Sequence, residues 1–340
     1  MTGLERVLAT LAGQPRDRHA FAPVLSLYGA RLAGTPLPVH YRDAAAYARG
    51  QAAVREAFDP DVLFAPFSFA GLAEALGSEL RFFDAQPPNV RRPALRDAHS
   101  WDPRALPDPD AHPSLLFLRE AVRRMAAEHG REVPVAVALP PPADLPALAM
   151  GLEAWMDAVL FDRPRAEAIL EDVIPFLARL ANALFADGAA LLVLPGGFTA
   201  QNVVTREIVE GFSRPALARA LALLRGPAIL HHVGAPLLGH LDLLTGLPAV
   251  AGYAIDERDS PERARAAIGP DPVLLTGPAS TRLPGLAPAQ AAAEVRALLA
   301  SRRGDPRFLP CTTGADVPWD VEPAAIAAMS AEVARSGGVP

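Results

Sequence analysis

Lysine is absent from the 340-residue chain, and all 32 basic residues are arginine. Without lysine there is no Schiff-base chemistry and no Walker-type phosphate lysine. Cysteine occurs once, at Cys311. No intramolecular disulfide can form, and a reducing, cytoplasmic setting is expected. Positive charge is in deficit, with a net charge of −6, which argues against a nucleic-acid partner. No uncharged apolar run reaches the roughly 18 residues that a membrane span needs, so a soluble protein with no membrane partner is expected. The N-terminal MTGLERVLATLAG carries Glu5 and Arg6 among Leu4, Val7, Leu8 and Leu11. That spacing predicts an amphipathic helix and not a signal peptide.

Half of the residues are hydrophobic and about a fifth are charged, enough apolar material for a sizeable core. Short, continuous apolar runs recur at 21–27, 61–66, 133–139, 189–195, 228–232, 249–255, 272–277 and 307–311. Strands buried on both faces of a parallel sheet have this pattern. Helical segments rich in Ala, Leu, Arg and Glu lie between them, at 42–58, 114–128, 164–187, 204–225 and 287–303. Shorter helices are expected at 69–77, 236–245 and 260–268, and a last one at 323–336. Eight strands alternating with helices predict an α/β fold, a (β/α)8 TIM barrel, as a single domain over 1–340. A doubly wound open sheet is the alternative. The proline-rich stretch at 84–113 reads as an excursion between strands two and three, of the kind that forms lids or binding walls.

In such barrels the site lies at the C-terminal ends of the strands. There the sequence places Tyr28 and Arg31, then Phe67, Ser68 and Glu74, then PGGFTAQN with Gly196, Gly197 and Asn202. His231-His232, Asp256-Glu257 and the Cys311 to Asp316 segment follow. Adjacent strand residues point to opposite faces, so only one of the two histidines can point inward. A His/Asp/Cys set suits zinc; the alternative is a histidine hydrogen-bonded at a strand end beside an inert cysteine. The Gly196-Gly197 pair would let a ligand approach the backbone. Glu74 and Glu153 are candidate acids, bases or metal ligands, or plain solvated residues.

The order of segments resembles the uroporphyrinogen decarboxylase superfamily over nearly the whole chain. The resemblance is carried by ERVLATLAGQPRDR, DVLFAPFSFAGLAEALG, GLEAWMDAVLFDRPRAEAILE, FADGAALLVLPGGFTAQN, ILHHVGAPLLGHL and FLPCTTGADVPWDVEP. It implies a TIM barrel with its site at the strand ends. The decarboxylases carry an arginine motif after strand one, where this chain has SLYGARLAG, with Tyr28 at the first arginine and Arg31 displaced. Their aspartate before the second-loop helix falls on Ser68 here.

The corrinoid-dependent methyltransferase branch is more similar through APFSFAGLAEALG. That branch implies zinc held by His-x-Cys-Gly and by Gly-Cys-x-x-Pro. Here these read His231-His232-Val233-Gly234 and Gly314-Ala315-Asp316-Val317-Pro318, so the histidine is kept and both cysteines are lost. Three arrangements stay open: His232 or Asp316 as substitute ligands, Cys311 as the missing thiolate, or no metal at all. The resemblance implies transfer of a methyl or one-carbon unit between a small substrate and a corrinoid, carried by a corrinoid protein, or another acceptor. His231 would be central, with Asp256 and Tyr28 assisting, Gly196, Gly197 and Asn202 at the cofactor, and Arg31, Ser68 and Glu74 at the substrate. The alternatives are a decarboxylase gripping carboxylates through Arg31, Arg91 and Arg92, and a non-catalytic corrinoid- or tetrapyrrole-binding barrel.

Overall fold

Continuous apolar runs with little polar alternation form strands that are covered on both sides, and this chain uses seven of them in one curled parallel sheet. A computed structural model describes residues 1–339. In chain order the strands are β1 (Leu63–Phe64), β2 (Glu79–Arg81), β3 (Asn89–Arg92), β4 (Val135–Ala138), β5 (Leu191–Pro195), β6 (Ala228–His231), β7 (Val250–Ala254), β8 (Val273–Thr276) and β9 (Phe308–Pro310). The parallel sheet runs β1-β4-β5-β6-β7-β8-β9, while β2 and β3 form a separate antiparallel pair. Helices at Ala44–Phe58, Pro113–His129, Arg163–Ala186, Arg214–Leu221, Pro261–Ile268, Pro288–Ser301 and Pro323–Ala334 alternate with the strands.

The expected first strand at 21–27 is corrected: it is not a member of the sheet. Residues 20–24 nevertheless span the two sheet edges. The Ala22 amide donates to Pro310 O, and Phe21 O accepts from the Asp61 amide. The next residue, Pro23, has no amide to continue a ladder, and the chain then turns into a short helix at Tyr28–Leu32. Side chains hold what the ladder does not: the Val24 amide donates to Thr312 Oγ1 at 2.9 Å, and the Leu27 amide to the Asp316 carboxylate at 3.2 Å.

Two helix predictions are also corrected. The 204–225 helix is interrupted by a π-turn at Val209–Ser213, just before Pro215, whose missing amide cannot close the regular i to i−4 bond. The 236–245 segment forms only a 3-10 turn at Leu241–Leu244, because Asp259 takes the Leu237 and Leu238 amides. The 84–113 excursion pairs β3 with β2 and then packs Trp101 against the helix Arg163–Ala186, where its indole donates to Asp172. None of its residues lines the mouth described below.

The N-terminal helix Gly3–Ala12 is fixed by a capping box between Thr2 and Glu5. Its Val7, Thr10 and Leu11 close the lower end of the space enclosed by the sheet. Strands β8 and β9 then approach so closely that a Cβ on Gly277 would sit 1.7 Å from Cys311 O, so only glycine fits there. No helix among the described residues is long and apolar enough to cross a membrane.

Candidate functional site

The alternation of β6 decides which histidine faces inward. Ile229 and His231 both line the space inside the curl of the sheet, whereas Ala228 and Leu230 do not. His231 also borders a cavity of about 600 Å³ at the C-terminal ends of the strands. This mouth is walled by Phe67, Ser68, Pro195, His232, Asp256 and the backbone around Gly314, among others. Phe67 lies edge-on to His231, with ring centroids 5.7 Å apart.

His231 is 6% exposed, and its Nδ1 is buried without a hydrogen-bond partner. Burial pushes its pKa down to about 3, and the neighbouring His232 adds to the effect. At neutral pH the ring is therefore uncharged. It is a weak base that suits accepting a hydrogen bond, or resting against a neutral heteroatom, better than holding a proton.

His232 is built into the wall. The Gly314 amide donates to its Nε2 at 3.0 Å, and Asp256 Oδ2 lies 3.2 Å from its Nδ1. A neutral imidazole carries one proton. Placing it on Nδ1 satisfies Asp256 and leaves Nε2 bare for Gly314, but it costs the Gly234 amide, which points at Nδ1 from 3.1 Å, its acceptor. Gly314 adopts φ +87, a left-handed conformation that favours glycine. Burial lowers the pKa of His232, against the raising effect of Asp256 and Asp259.

Asp256 is 4% exposed. Burial works to raise its pKa, but hydrogen bonds from Arg258 and the charges of His232 and Arg258 hold it below the usual value. Arg258 Nε reaches Asp256 Oδ1 at 2.5 Å, and its Nη2 donates to Gly234 O at 2.7 Å. Asp259 ties the loop from the other side by accepting from the Leu237 amide at 2.8 Å. Arg258 and Asp259 were not among the expected residues. The only trace in the sequence is the charged run Asp256-Glu257-Arg258-Asp259 after an apolar strand.

Several expected site residues are occupied elsewhere. Tyr28, proposed as catalytic, is fully buried and donates its hydroxyl to Val321 O at 2.5 Å. Arg31 directs its Nη1 at Trp319 O, Val321 O and the Tyr28 hydroxyl. Both side chains staple the first loop to residues 319–321, and neither lines the mouth. Gly196 and Gly197 approach side chains of the protein itself: Gly196 O accepts from the Thr199 hydroxyl at 2.9 Å, and Asp144 Oδ1 accepts from the Gly197 and Phe198 amides at 2.6 and 3.1 Å. Burial raises the Asp144 pKa to about 7, against the bonds from Gly197 and Phe198. Asn202 is exposed on the following turn and lines none of the cavities described here. Ser68 is at the mouth and also borders a second cavity of about 120 Å³. Glu74 lines only that second cavity, where Arg42 and Ser114 donate to it at 2.8 and 2.6 Å. Glu153 is solvent-exposed on the helix Leu152–Phe161, and His240 turns its Nδ1 to Thr199 O at 3.1 Å.

The expected metal set His231, His232, Cys311 and Asp316 does not converge. No group of three or more His, Cys, Asp or Glu side chains among the described residues is placed to hold a metal ion. Each absence from the set has a cause. Both ring nitrogens of His232 are engaged. Asp316 is buried against the Leu27 amide, and burial raises its pKa to about 8. Cys311 lies in the apolar interior, where burial pushes its thiol up to about 12, far from the thiolate a zinc site requires. The donor set does not fit zinc.

Solved structures share this arrangement. A methyltransferase from Methanosarcina mazei superposes with a TM-score of 0.84 at 17% identity, covering 98% of both chains. A B12-independent methionine synthase from Shewanella sp. W3-18-1, solved in complex with selenomethionine, gives 0.59 at 11% identity, over 94% of this chain and 97% of that one. A putative vitamin-B12 independent methionine synthase from Listeria monocytogenes gives 0.55 at 12% identity, over 94% and 98%. At these identities the likeness is one of fold. No curated protein matches the chain in sequence. The family assignment rests on the sequence profile of uroporphyrinogen decarboxylase (URO-D), which matches residues 2–336, and the chain belongs to that family.

Proposed function

We propose that this chain is an enzyme that moves a methyl group, or a related one-carbon unit, between a small substrate held in the mouth and a corrinoid or another acceptor. In this reading the curled sheet is a (β/α)8 barrel with residues 20–24 as its eighth staves, and the site lies at its C-terminal end. The observation that carries the proposal is the charge balance at the mouth. Arg258 is the one arginine among the described lining residues, and it is tied to Asp256. Beside it stands an uncharged His231. Such a surface suits a neutral heteroatom, a hydroxyl, thiol or ether, better than a ring of carboxylates, which needs unpaired arginines. The methyltransferase fold of the Methanosarcina protein is consistent with this direction.

His231 would accept a hydrogen bond from the substrate or pack against its heteroatom and hold it in line for transfer. With so low a basicity it orients and does not store the proton. His232 and Asp256 would fix the His231 ring and the shape of the wall. No step is assigned to zinc, because the donors do not come together.

The decarboxylase alternative finds none of its expected arginines among the mouth's lining. Arg31 is tied through Nη1 to residues 319–321, and Arg91 and Arg92 lie on the outlying β3, with Arg92 paired to Glu79. The test is methyl transfer to cob(I)alamin from methyl thioethers, methyl ethers and methylamines, and from methylcob(III)alamin to the matching thiols, alcohols and amines, run beside His231→Ala. Turnover with at least one donor, lost in the variant, is the expected result. No turnover in any combination overturns the reading. Conversion of uroporphyrinogen III to coproporphyrinogen would replace it by decarboxylation, and an unchanged cobalamin spectrum on titration would remove the corrinoid.

A further inference from the structure

Beneath the mouth, inside the curl of the sheet, lies a chamber of about 60 Å³. Interiors of this kind are normally filled by bulky side chains in layers. Here the inward positions Ala22, Ala136 and Ala254 are small and leave the space open. Ala254 stands directly opposite His231 in the β6–β7 register. The helix Gly3–Ala12 closes the floor with Val7 and Leu11, and Phe67 and His231 form the partition from the mouth.

The walls offer almost nothing to water. Thr312 Oγ1 is taken by the Val24 amide, and the Thr10 hydroxyl donates to Arg6 O at 2.8 Å. What remains is the Thr312 hydroxyl proton, the Cys311 thiol and the ring of His231, and the other lining side chains apart from Thr10 are apolar. Such a lining suits an apolar group better than water, which needs two to four polar partners. An empty apolar void lowers stability, and one retained directly under a polar cavity has a use if something apolar enters it.

We propose that the chamber binds the short alkyl end of a ligand whose polar head rests on His231 in the mouth. The ligand class is a small amphiphile, an alcohol, thiol, ether or thioether with a chain of up to about three carbons. The size limit follows from scale: a cavity of about 150 Å³ takes benzene, so this one holds roughly two or three heavy atoms. Entry passes between Phe67 and His231, whose edge-to-face contact separates the two spaces. The inference rests on the reading of His231 as the group that meets the substrate's heteroatom, and it adds what lies behind that heteroatom.

The experiment is a binding titration on the full chain, without turnover. Normal alcohols from methanol to 1-hexanol, and xenon as a purely apolar probe, are followed by NMR of alanine, valine and leucine methyl groups. Shifts centred on Ala136, Val193, Ala254 and Leu309 are expected, with affinity rising roughly four-fold per CH2 up to about propanol and falling beyond it. Ala254→Ile should weaken xenon and propanol binding at least ten-fold without lowering the melting temperature, and Ala136→Val should act in the same direction if the larger substitution fails to fold. Affinity independent of chain length, shifts confined to surface methyl groups, or full binding in a folded filled variant would each overturn the proposal. Because no chemistry is read, failure of methyl transfer leaves this result standing, and failure here leaves the transfer assay untouched.

Discussion

The rings of His231 and His232 are stacked, with centroids 4.7 Å apart and planes 20° from parallel. Both border the mouth, His231 also faces the chamber beneath it, and His232 is held by Gly314 and Asp256. The free histidine is thus aligned by a fixed one, and residues on three different loops set its attitude.

Removing the fixed ring should therefore cost stability as well as activity. His232→Ala strands the Gly314 amide, leaves Asp256 with Arg258 alone and opens a buried space. We expect a loss of about 3 kcal/mol, seen as a lowered urea midpoint. Any transferase activity should fall further than the stability change explains, because His231 loses its stacking partner.

A buried hydroxyl without a partner predicts the opposite sign. Tyr41 and Tyr47 are both buried, but Tyr41 Oη makes no hydrogen bond within 3.5 Å and interacts with Ser26 only weakly. Tyr47 Oη lies 3.0 Å from Ser26 Oγ and 2.9 Å from Phe64 O. Tyr41→Phe should leave stability unchanged or raise it by about 1 kcal/mol, whereas Tyr47→Phe should lower it by about 1 to 2 kcal/mol. Paired denaturation curves decide the matter, and equal losses in both variants would show that Tyr41 is satisfied in solution.

The pH dependence of stability carries two opposed contributions. Asp316 has its carboxyl raised to about 8 by burial, so the folded chain binds a proton that the unfolded chain releases. This contribution is fully present below pH 3.8 and is lost as pH rises to about 8. His231, lowered to about 3, behaves in the reverse way: its contribution is present above pH 6.5 and is lost as pH falls toward 3. Between pH 6.5 and 8 only the first of these two changes with pH. Asp316→Asn should flatten the decline of stability across that window, measured by urea melts at half-unit steps, and an unaltered slope would show that Asp316 is ionised in the folded chain.

At the other end of the sheet, Asp61 accepts from the Phe21 amide at 2.8 Å and pairs with Arg6 at 3.1 Å and Arg18 at 2.5 Å. Its side chain is 2% exposed. Asp61→Asn leaves two arginines facing a neutral group, and a loss of about 3 to 5 kcal/mol is expected. The affinity of whatever ligand the mouth takes should not change, since Asp61 lies on the floor side.

Much of the fold was legible from the spacing of apolar runs, since β1 and β4 through β9 each fall within one of them. The exception is FAPVLSL, which has the composition of a strand but contains Pro23 and gives up its ladder to Thr312 and Asp316. Hydrophobicity alone does not register where a backbone bond goes. At the site, a period of two was enough to say that only one histidine reaches the space inside the sheet, although both border the mouth. It could not say that His232 would be locked, because its partners Gly314 and Asp256 lie 82 and 24 residues away. The partners of Tyr28 and Arg31 were illegible for the same reason: their acceptors are the carbonyls of Trp319 and Val321, which no local pattern links to them.

The segment at 20–24 has one more effect. It joins the sheet edges with few backbone bonds, from Ala22 to Pro310, from Val317 to Val24 and from Asp61 to Phe21, and the Thr312 hydroxyl takes the Val24 amide. That joint is therefore held on one side by the loop that carries Gly314 to His232. Thermal opening of that joint would be felt first at the histidine wall, and amide exchange at Ala22, Val24 and Gly314 should rise together, ahead of β5 and β6. The mouth would then breathe with the seam of the sheet, and not with the helices around it.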